Sequence, residues 1–199
     1  MKTLLLATHN SGKIKELKAL LSPLQCVSQE ELHISSIEET GVTFIENALL
    51  KARHASRMSH LPSLSDDSGL VVPALLGKPG IHSARFAAPD ATSAQNIEAL
   101  LAAMAHLDEV DRRAYFYCVL VLLQHENDPT PLIATGLWHG RIQHTCQGSQ
   151  GFGYDPIFYL DTHHCTAAEL PIDIKNQISH RAQAFHSLKS QLLTNESIQ

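Results

Sequence analysis

Residues 4–21 read LLLATHNSGKIKELKALL, and this stretch predicts a strand, a loop and a helix in that order. The apolar run at 4–7 has the length of a short strand, and the NSG at 10–12 is prone to turn. Apolar residues then recur at helical spacing, at Ile14, Leu17, Leu20 and Leu21. A strand that leads directly into a helix is typical of α/β proteins.

Two capping boxes predict later helices. Thr43 and Glu46 form the pattern T-x-x-E, and Thr92 and Gln95 form T-x-x-Q. In such a box the first and fourth residues each bond the other's backbone N–H, which starts a helix. Apolar residues follow both boxes at helical spacing, so we predict a helix of about four turns after Thr43 and a second one after Thr92 that packs on the sheet.

Apolar and β-branched runs predict the remaining elements. We predict strands at residues 70–72, 115–123, 132–142 and 157–160. The middle two should form an antiparallel hairpin around the turn-prone NDP at 127–129. Ser179 begins a last helix, and the polar tail after Leu193 is expected to fray. These elements predict one α/β domain over residues 1–199, with a mixed sheet flanked by helices.

The composition restricts the possible functions. The 199 residues are 44% hydrophobic and 18% charged, as in an ordinary soluble globular protein. The formal net charge of -5 argues against non-specific binding to nucleic acid, which depends on an excess of Lys and Arg. The apolar run at 4–7 is too short for a signal peptide or a membrane span. We therefore expect a cytoplasmic protein without nucleic-acid or membrane partners.

The four cysteines do not suggest a metal or redox site. Cys26, Cys118, Cys146 and Cys165 are widely spaced and form no C-x-x-C pair. We expect free, mostly buried thiols in a reducing compartment. The HHC tract at 163–165 lacks a second ligand pair, so we interpret it as a solvated loop.

The first polar cluster, THNSGK at residues 8–13, lies between the first strand and its helix. Backbone N–H groups at a helix N-terminus favour anions, and Lys13 adds a mobile positive charge, so phosphate is the natural ligand. The cluster lacks the G-x-x-x-x-G-K-[ST] spacing of a P-loop. A plain turn with an ordinary helix cap explains the same residues equally well.

The second cluster, SDDSG at residues 65–69, places Asp66 next to Asp67. Carboxylate oxygens suit Mg²⁺, so one acid can bind metal while another takes a proton from water. The apolar run at 70–72 puts the cluster at a strand end or a tight turn. Neighbouring side chains in a strand face opposite sides, so the two acids should not share one ion. Acidic pairs at turns are also common as solvated residues without a catalytic role.

The third cluster, GFGYDP at residues 151–156, holds an aromatic ring between two glycines. Phe152 could stack on a nucleotide base, a contact worth about 1–3 kcal/mol. The alternative is a glycine-rich turn with Phe152 folded back into the core. Near the last helix Lys175, His180 and Arg181 add cationic donors, although by themselves they predict a solvated face.

Together the clusters indicate a metal-dependent enzyme that acts on a nucleotide, with the phosphates held by a cation and the base stacked. Two other functions use the same binding residues. A nucleotide sensor would bind the nucleotide without turnover and would need no positioned general base. A hydrolase that cleaves at the γ-phosphate would release orthophosphate instead of pyrophosphate.

Long ordered motifs also make the chain resemble a known family. The motifs are LLATHNSGKIKEL, EETGVTFIENALLKA, SDDSGLVV, GKPGIHSARFA, GFGYDPIF and SHRAQA, which are spread over nearly the whole length of the chain. They are similar to the inosine triphosphate pyrophosphatase family, and most to its bacterial branch. The resemblance implies Mg²⁺-dependent hydrolysis of ITP, dITP and XTP to the monophosphate and pyrophosphate. It also implies a homodimer and an elongated mixed sheet, with the active site in a cleft between two lobes.

The resemblance assigns roles by matching positions. Thr8, Asn10 and Lys13 would hold the triphosphate, assisted by Lys51. The neighbouring residues His9, Ser11 and Gly12 would also bind substrate. Glu39 and Asp67 would bind the metal, and Asp67 would also accept the proton. The residues that would contact substrate, mostly around its base and sugar, are Ser68, Phe152, Gly153, Tyr154, Asp155, Lys175, His180 and Arg181. The motif leaves open whether Glu38 or Glu39 is the metal ligand.

Overall fold

The computed structural model describes residues 3–196, which form a sheet and the helices around it. The strands are β1 (Leu4–Ala7), β2 (Cys26–Ser28), β3 (Ser63–Val71), β4 (Arg113–Leu123), β5 (Leu132–Ile142), β6 (Phe158–Leu160) and β7 (Cys165–Thr166). The α-helices are α1 (Ser11–Leu21), α2 (Phe44–Ser59), α3 (Ser93–Ala103), α4 (Ile172–Ile178) and α5 (His180–Glu196). Short 3₁₀ helices lie at Pro73–Leu75, Gly80–Arg85, Glu109–Arg112 and Asp155–Ile157.

The strands form a single mixed sheet in the order β2-β1-β3-β4-β5-β6-β7. β1 pairs in parallel with both β2 and β3. At the other end, β6 pairs antiparallel with β5 and with β7. The predicted fold class, an α/β protein with a mixed sheet flanked by helices, is therefore confirmed. The cleft between two lobes stays a prediction.

The helix predictions are confirmed in detail. Both capping boxes are present, because Thr43 and Thr92 accept from the backbone N–H of Glu46 and Gln95, whose side chains reach back to the cap. The last helix begins directly after Ser179, as predicted, and continues to Glu196. The end of the predicted fraying tail, residues 197–199, lies outside the described residues.

The predicted position of the SDDSG cluster is wrong. β3 starts at Ser63 rather than near residue 70, so the cluster lies inside a nine-residue strand and not at its end. The first half of this strand is polar, so the sequence pattern did not predict it. Two of these polar residues are satisfied by the neighbouring helix, since the hydroxyls of Ser63 and Ser65 donate to the carbonyls of Ala52 and Ala48 at 2.8 and 2.7 Å. Both serines are completely buried.

Three short elements had no prediction. β2 and β7 have three and two residues, too few for a visible alternation of apolar and polar positions. α4 has seven residues and follows Pro171 without a side-chain cap. β6 begins at Phe158, because the preceding residue belongs to a 3₁₀ turn.

The chain divides into two compact units. Unit 1 contains residues 1–67, 118–136 and 180–199, and unit 2 contains residues 68–117 and 137–179. The core of unit 1 includes Leu6, Leu17, Leu64, Leu120 and Leu188. The core of unit 2 includes Leu100, Met104, Phe116, Trp138 and Phe158. Leu100 and Met104 place the inner face of α3 against the strands, as predicted. The single domain over residues 1–199 stays a prediction.

The thiols are free, as predicted, but they are not mostly buried. Only Cys118 is buried, whereas Cys146 is exposed and Cys26 and Cys165 are half-buried. The last two lie on β2 and β7, which are the edge strands of the sheet and have a neighbour on one side only. The HHC tract ends an exposed turn, in keeping with the solvated loop expected there. Between residues 3 and 196, no helix is long and apolar enough to cross a membrane.

Candidate active site

Alternation along β3 sends its two aspartates to different partners. Successive side chains of a strand point to opposite faces, so Ser63, Ser65 and Asp67 share one face and Leu64 and Asp66 share the other. The first face lies against α2, through the two serine hydroxyls and a hydrogen bond from Lys51 to Asp67. This separation agrees with the expectation that Asp66 and Asp67 do not act on one ion.

The Asp66 cluster, formed by Lys13, Glu16, Asp66 and Arg181, is a buried network of charges. Asp66 is 0% exposed and pairs with Lys13 at 2.7 Å and with Arg181 at 2.6 Å. A second nitrogen of Arg181 donates to Glu16. Breaking buried pairs of this kind is costly because a charge then remains in a medium of low polarity.

Two shifted pKa values follow from this arrangement. Burial alone would raise the pKa of Asp66, but the charges of Arg181 and Lys13 outweigh it and hold the pKa well below its usual value. The thiol of Cys118 donates to the Asp66 carboxylate at 3.4 Å. Burial, together with this negative neighbour, raises the pKa of Cys118 well above its usual value, so the thiol keeps its proton. At neutral pH Asp66 is therefore ionised and the Cys118 thiol is neutral.

The Asp67 cluster, formed by Glu39, Lys51 and Asp67, has the opposite character. Lys51 lies 2.6 Å from Asp67 and 2.8 Å from Glu39, so one ammonium joins two carboxylates. Burial raises the pKa of Asp67 above its usual value, although Lys51 and Lys13 act against the rise. Asp67 is thus a stronger base than a solvated aspartate.

The structure distinguishes Glu39 from Glu38. Glu39 is half-buried and its carboxylate lies at Lys51, next to that of Asp67. Glu38 is exposed. Of the two glutamates, Glu39 is therefore the one that is placed to share a cation with Asp67.

The loop at residues 8–13 forms the helix cap expected from its sequence, and its phosphate binding stays a prediction. Asn10 caps α1 by accepting from the Lys13 N–H at 3.0 Å, and Thr8 accepts from the Asn10 N–H at 3.2 Å. Ser11 and Gly12 form the first turn of the helix. The cap therefore exists, and it also fixes the helix start from which the Lys13 side chain reaches Asp66. His9 turns to another loop, where its Nε2 bonds the carbonyl of Ile34 at 3.0 Å.

The aromatic cluster of unit 2 contains Phe152, Asp155 and Lys175. Asp155 accepts from the Phe152 N–H at 2.8 Å and pairs with Lys175 at 2.6 Å. The Lys175 ammonium lies 5.1 Å from the centre of the Phe152 ring, which is half-buried. Gly151 has a φ of +77°, and a Cβ there would collide with the Asp155 carboxylate. The glycine is therefore needed for the turn that brings Asp155 under Phe152.

The other predicted residues of unit 2 differ in exposure. Tyr154 belongs to the core and is 4% exposed, and its hydroxyl donates to the carbonyl of Ser83 at 2.9 Å. Burial raises the pKa of Tyr154. Gly153, with a φ of +62°, and Ser68, directly after Asp67, are half-buried. Tyr154 thus supports the loop from inside.

The solvated face predicted for Lys175, His180 and Arg181 taken alone is wrong, since their exposed fractions are 3%, 5% and 1%. In unit 1, His180 and Arg181 are buried because α5 packs closely on β5. A Cβ at Gly136 would collide with the His180 carbonyl oxygen and would lie 2.6 Å from the Ala184 nitrogen. The Arg181 donors that we expected at a base are bonded to Asp66 and Glu16.

Comparisons with known proteins agree with the motifs. The profile of the Ham1 family matches residues 4–191. The chain belongs to the Ham1 family. This confirms the family predicted from the sequence motifs.

Ham1 relatives match the chain over almost their full length. A protein of Legionella pneumophila (strain Lens) named dITP/XTP pyrophosphatase is 58% identical over 96% of this chain and 99% of its own. A protein of the same name from Vibrio parahaemolyticus is 50% identical over 96% of this chain and 97% of its own. The solved structure of a HAM1 protein from Coxiella burnetii is 47% identical, with a TM-score of 0.89, and the match covers 98% and 100% of the two chains.

Sequence reasoning missed the roles of two residues of the Asp66 cluster. Glu16 had no assigned role, and Asp66 was considered only as one of two acids. A signal for Glu16 exists, because it lies three residues after Lys13 and next to Leu17 on the inner face of α1, where a charged residue needs a partner. The partner itself, Arg181, lies 165 residues away along the chain and could not be inferred.

Proposed function

We propose that this chain is a hydrolase that converts noncanonical purine nucleoside triphosphates, namely ITP, dITP and XTP, to the monophosphate and pyrophosphate. Membership of the Ham1 family supports the proposal, since both relatives described above carry the name dITP/XTP pyrophosphatase. The observation that carries it is Asp67, a nearly buried carboxylate of raised pKa beside Lys51 and Glu39.

The Asp67 cluster suits attack of water on the α-phosphorus. This reaction needs a base for the water and positive charge to stabilise the leaving pyrophosphate. Asp67 suits the first task, because burial raises the affinity of its carboxylate for a proton. The ammonium groups of Lys13 and Lys51 suit the second, and the cap at Thr8 and Asn10 holds the loop where we place the phosphates.

The oxygen donors of Glu39 and Asp67 fit a magnesium ion. Their carboxylates converge on Lys51, and these three side chains carry a formal net charge of -1, which favours an added cation. Across residues 3–196 no group of three or more His, Cys, Asp or Glu side chains is arranged to hold a metal. Mg²⁺ commonly takes one or two protein carboxylates and fills its other positions with water and phosphate oxygens. Glu39 and Asp67 would hold the ion, which would offset charge on the triphosphate.

Recognition of the base is proposed for the aromatic cluster of unit 2. The half-buried ring of Phe152 offers a face for stacking. The Lys175 ammonium, which pairs with Asp155, lies 5.1 Å from the centre of this ring and is a hydrogen-bond donor. Hypoxanthine and xanthine carry an acceptor oxygen at position 6, where adenine carries an amine, so a donor there would favour the first two. We keep Gly153, Asp155 and His180 as proposed neighbours of the nucleoside.

Two further features of the protein stay proposals. We propose that the protein forms a homodimer, which light scattering after size-exclusion chromatography would detect as twice the mass of the chain. We also propose a cytoplasmic location, where nucleoside triphosphates are dissolved.

Product analysis tests the proposed reaction. Purified protein incubated with ITP and Mg²⁺ should yield IMP and pyrophosphate in equal amounts, separated by anion-exchange chromatography. Excess EDTA should stop the reaction, because the triphosphate charge would then lack its counter-ion. Formation of IDP and orthophosphate would move the attack to the γ-phosphorus, and binding of ITP without turnover would indicate a sensor.

A further inference from the structure

The loop that carries Glu39 is held by one face of α2. Residues 34–41 have no regular secondary structure, so their position depends on contacts with neighbouring elements. Asn47, Lys51 and His54 lie four and then three residues apart, which puts them on one face of the helix. We call these three residues the α2 stripe. Each of them bonds a different residue of the loop.

The outer members of the α2 stripe bond the loop backbone. The Asn47 Oδ1 accepts from the Gly41 N–H at 2.8 Å, two residues after Glu39. The His54 Nε2 bonds the carbonyl oxygen of Ser35 at 2.8 Å, four residues before Glu39. Because a carbonyl oxygen only accepts, His54 carries a proton on Nε2 in this contact. The two bonds hold the loop on both sides of the Glu39 carboxylate, which Lys51 binds.

The Asn47 contact requires a close approach. Asn47 is 0% exposed, and a Cβ added at Gly41 would lie 2.7 Å from its Oδ1 and 2.6 Å from the Cβ of Glu46. The Asn47 Nδ2 is buried and has no hydrogen-bond partner in the described part of the chain. A buried amide with one unsatisfied atom is unfavourable, so packing alone does not account for an asparagine at this position. Its acceptor oxygen is therefore the useful part of the side chain.

The ends of the loop are fixed independently of the stripe. Ile34 is 7% exposed and packs with Leu5, Ala7 and Ala55. At the other end, the Glu46 carboxylate accepts from the two N–H groups that follow Gly41. Loss of one contact of the stripe should therefore loosen the middle of the loop without releasing its ends.

We propose that Asn47 and His54 are positioning residues that hold the loop so that the Glu39 carboxylate meets the same cation as Asp67. This inference rests on the proposed function in one respect, the role of Glu39 as a metal ligand. Neighbours that orient a metal ligand commonly change metal affinity by about 10–100-fold when they are removed. The positioning of the loop itself can be measured without metal or substrate.

Hydrogen–deuterium exchange of the metal-free protein tests the positioning. In Asn47→Ala, peptides covering residues 35–41 should exchange about fivefold faster, which corresponds to the loss of one hydrogen bond. The matched control is Ser56→Ala, another buried polar residue of α2, whose hydroxyl donates at 2.9 Å to the carbonyl of Leu61 and to no residue of 34–41. The control should leave the exchange of 35–41 unchanged. Equal exchange in wild type and Asn47→Ala, or equal acceleration in both variants, would overturn the proposal.

His54 offers a second pair of variants that preserves the helix. His54→Gln keeps an N–H donor at a similar reach, whereas His54→Leu removes it. The glutamine variant should keep the slow exchange of residues 35–41, and the leucine variant should exchange about fivefold faster. The same rate in both variants would show that the contact with Ser35 does not hold the loop.

The metal requirement then connects the loop to Glu39. For Asn47→Ala, the Mg²⁺ concentration that gives half-maximal ITP hydrolysis should rise about tenfold, while the rate at saturating Mg²⁺ stays within about twofold of wild type. A loosened loop with an unchanged Mg²⁺ requirement would contradict the link to Glu39. If wild type does not hydrolyse ITP at all, the proposed function fails, and the exchange data still decide whether the α2 stripe positions the loop.

Discussion

Asp66 and Asp67 are neighbours in β3, yet the clusters around them differ in charge, burial and pKa. The Asp66 cluster combines two carboxylates with two cations and has a formal charge of zero. The Asp67 cluster combines two carboxylates with one ammonium. The pKa of Asp66 is held well below its usual value because nearby cations outweigh the effect of burial, whereas burial dominates at Asp67 and raises its pKa.

These surroundings suit the two neighbouring aspartates of β3 to different roles, one in stability and one in chemistry. A carboxylate whose charge is already balanced has little to offer a proton or a metal ion, so Asp66 is suited to hold α1, β3 and α5 of unit 1 together. A carboxylate with excess negative charge around it and a higher proton affinity is suited to react. Strand alternation separates the two aspartates, since it directs adjacent side chains to different helices.

The largest expected effect on stability comes from breaking the Asp66 cluster at its centre. Arg181→Met should lower the free energy of unfolding by about 3–5 kcal/mol, because Asp66 and Glu16 then lose the guanidinium inside the protein. Urea denaturation would measure this. The matched control, Arg57→Met, removes an exposed ion pair with Glu126 and should cost less than about 1 kcal/mol. Similar losses in the two variants would mean that the buried network does not stabilise the fold.

Acid is expected to have a smaller effect on the free energy of unfolding, and this effect depends on Asp66. Because the folded pKa of Asp66 lies below its unfolded value, the stability it contributes is complete above about pH 4. That contribution is lost as the pH falls through the lower, folded pKa. Asp66→Asn removes this contribution, so its free energy of unfolding should fall less steeply below about pH 4 than that of wild type.

Urea titrations at several acidic pH values would measure these slopes. Asp161→Asn, at an aspartate whose side chain is 71% exposed, is the control and should keep the wild-type slope. A wild-type slope in Asp66→Asn would mean that Asp66 does not account for acid sensitivity.

Local sequence patterns predicted the elements that carry the site. The strand, loop and helix at 4–21, the capping box at Thr43, and the strand at 132–142 all appear at the expected places. The motifs also pointed to Lys13, Asp67 and Arg181, which lie in the Asp66 and Asp67 clusters. Such predictions succeed because periodicity and capping are decided by residues a few positions apart.

The burial of the site could not be read from the sequence. The first half of β3 is polar and its sequence predicts a turn. In the structure its serines donate to the backbone carbonyls of Ala48 and Ala52 in α2. Asp66 lies 53 residues from Lys13 and 115 from Arg181 along the chain. Without these distant cations, a pair of aspartates predicts solvent exposure.

Asp67 is proposed to react and Asp66 to stabilise, and two isosteric variants measured in the same two assays distinguish these roles. Asp67→Asn should lower ITP turnover by about 10²–10⁴-fold and lower the free energy of unfolding less than Asp66→Asn does, because burial disfavours the Asp67 charge and Lys51 keeps Glu39 as a partner. Asp66→Asn should lower the free energy of unfolding by about 3–5 kcal/mol and reduce turnover less than Asp67→Asn does. Turnover of Asp67→Asn within about threefold of wild type, or the larger loss of stability at Asp67, would contradict the claim.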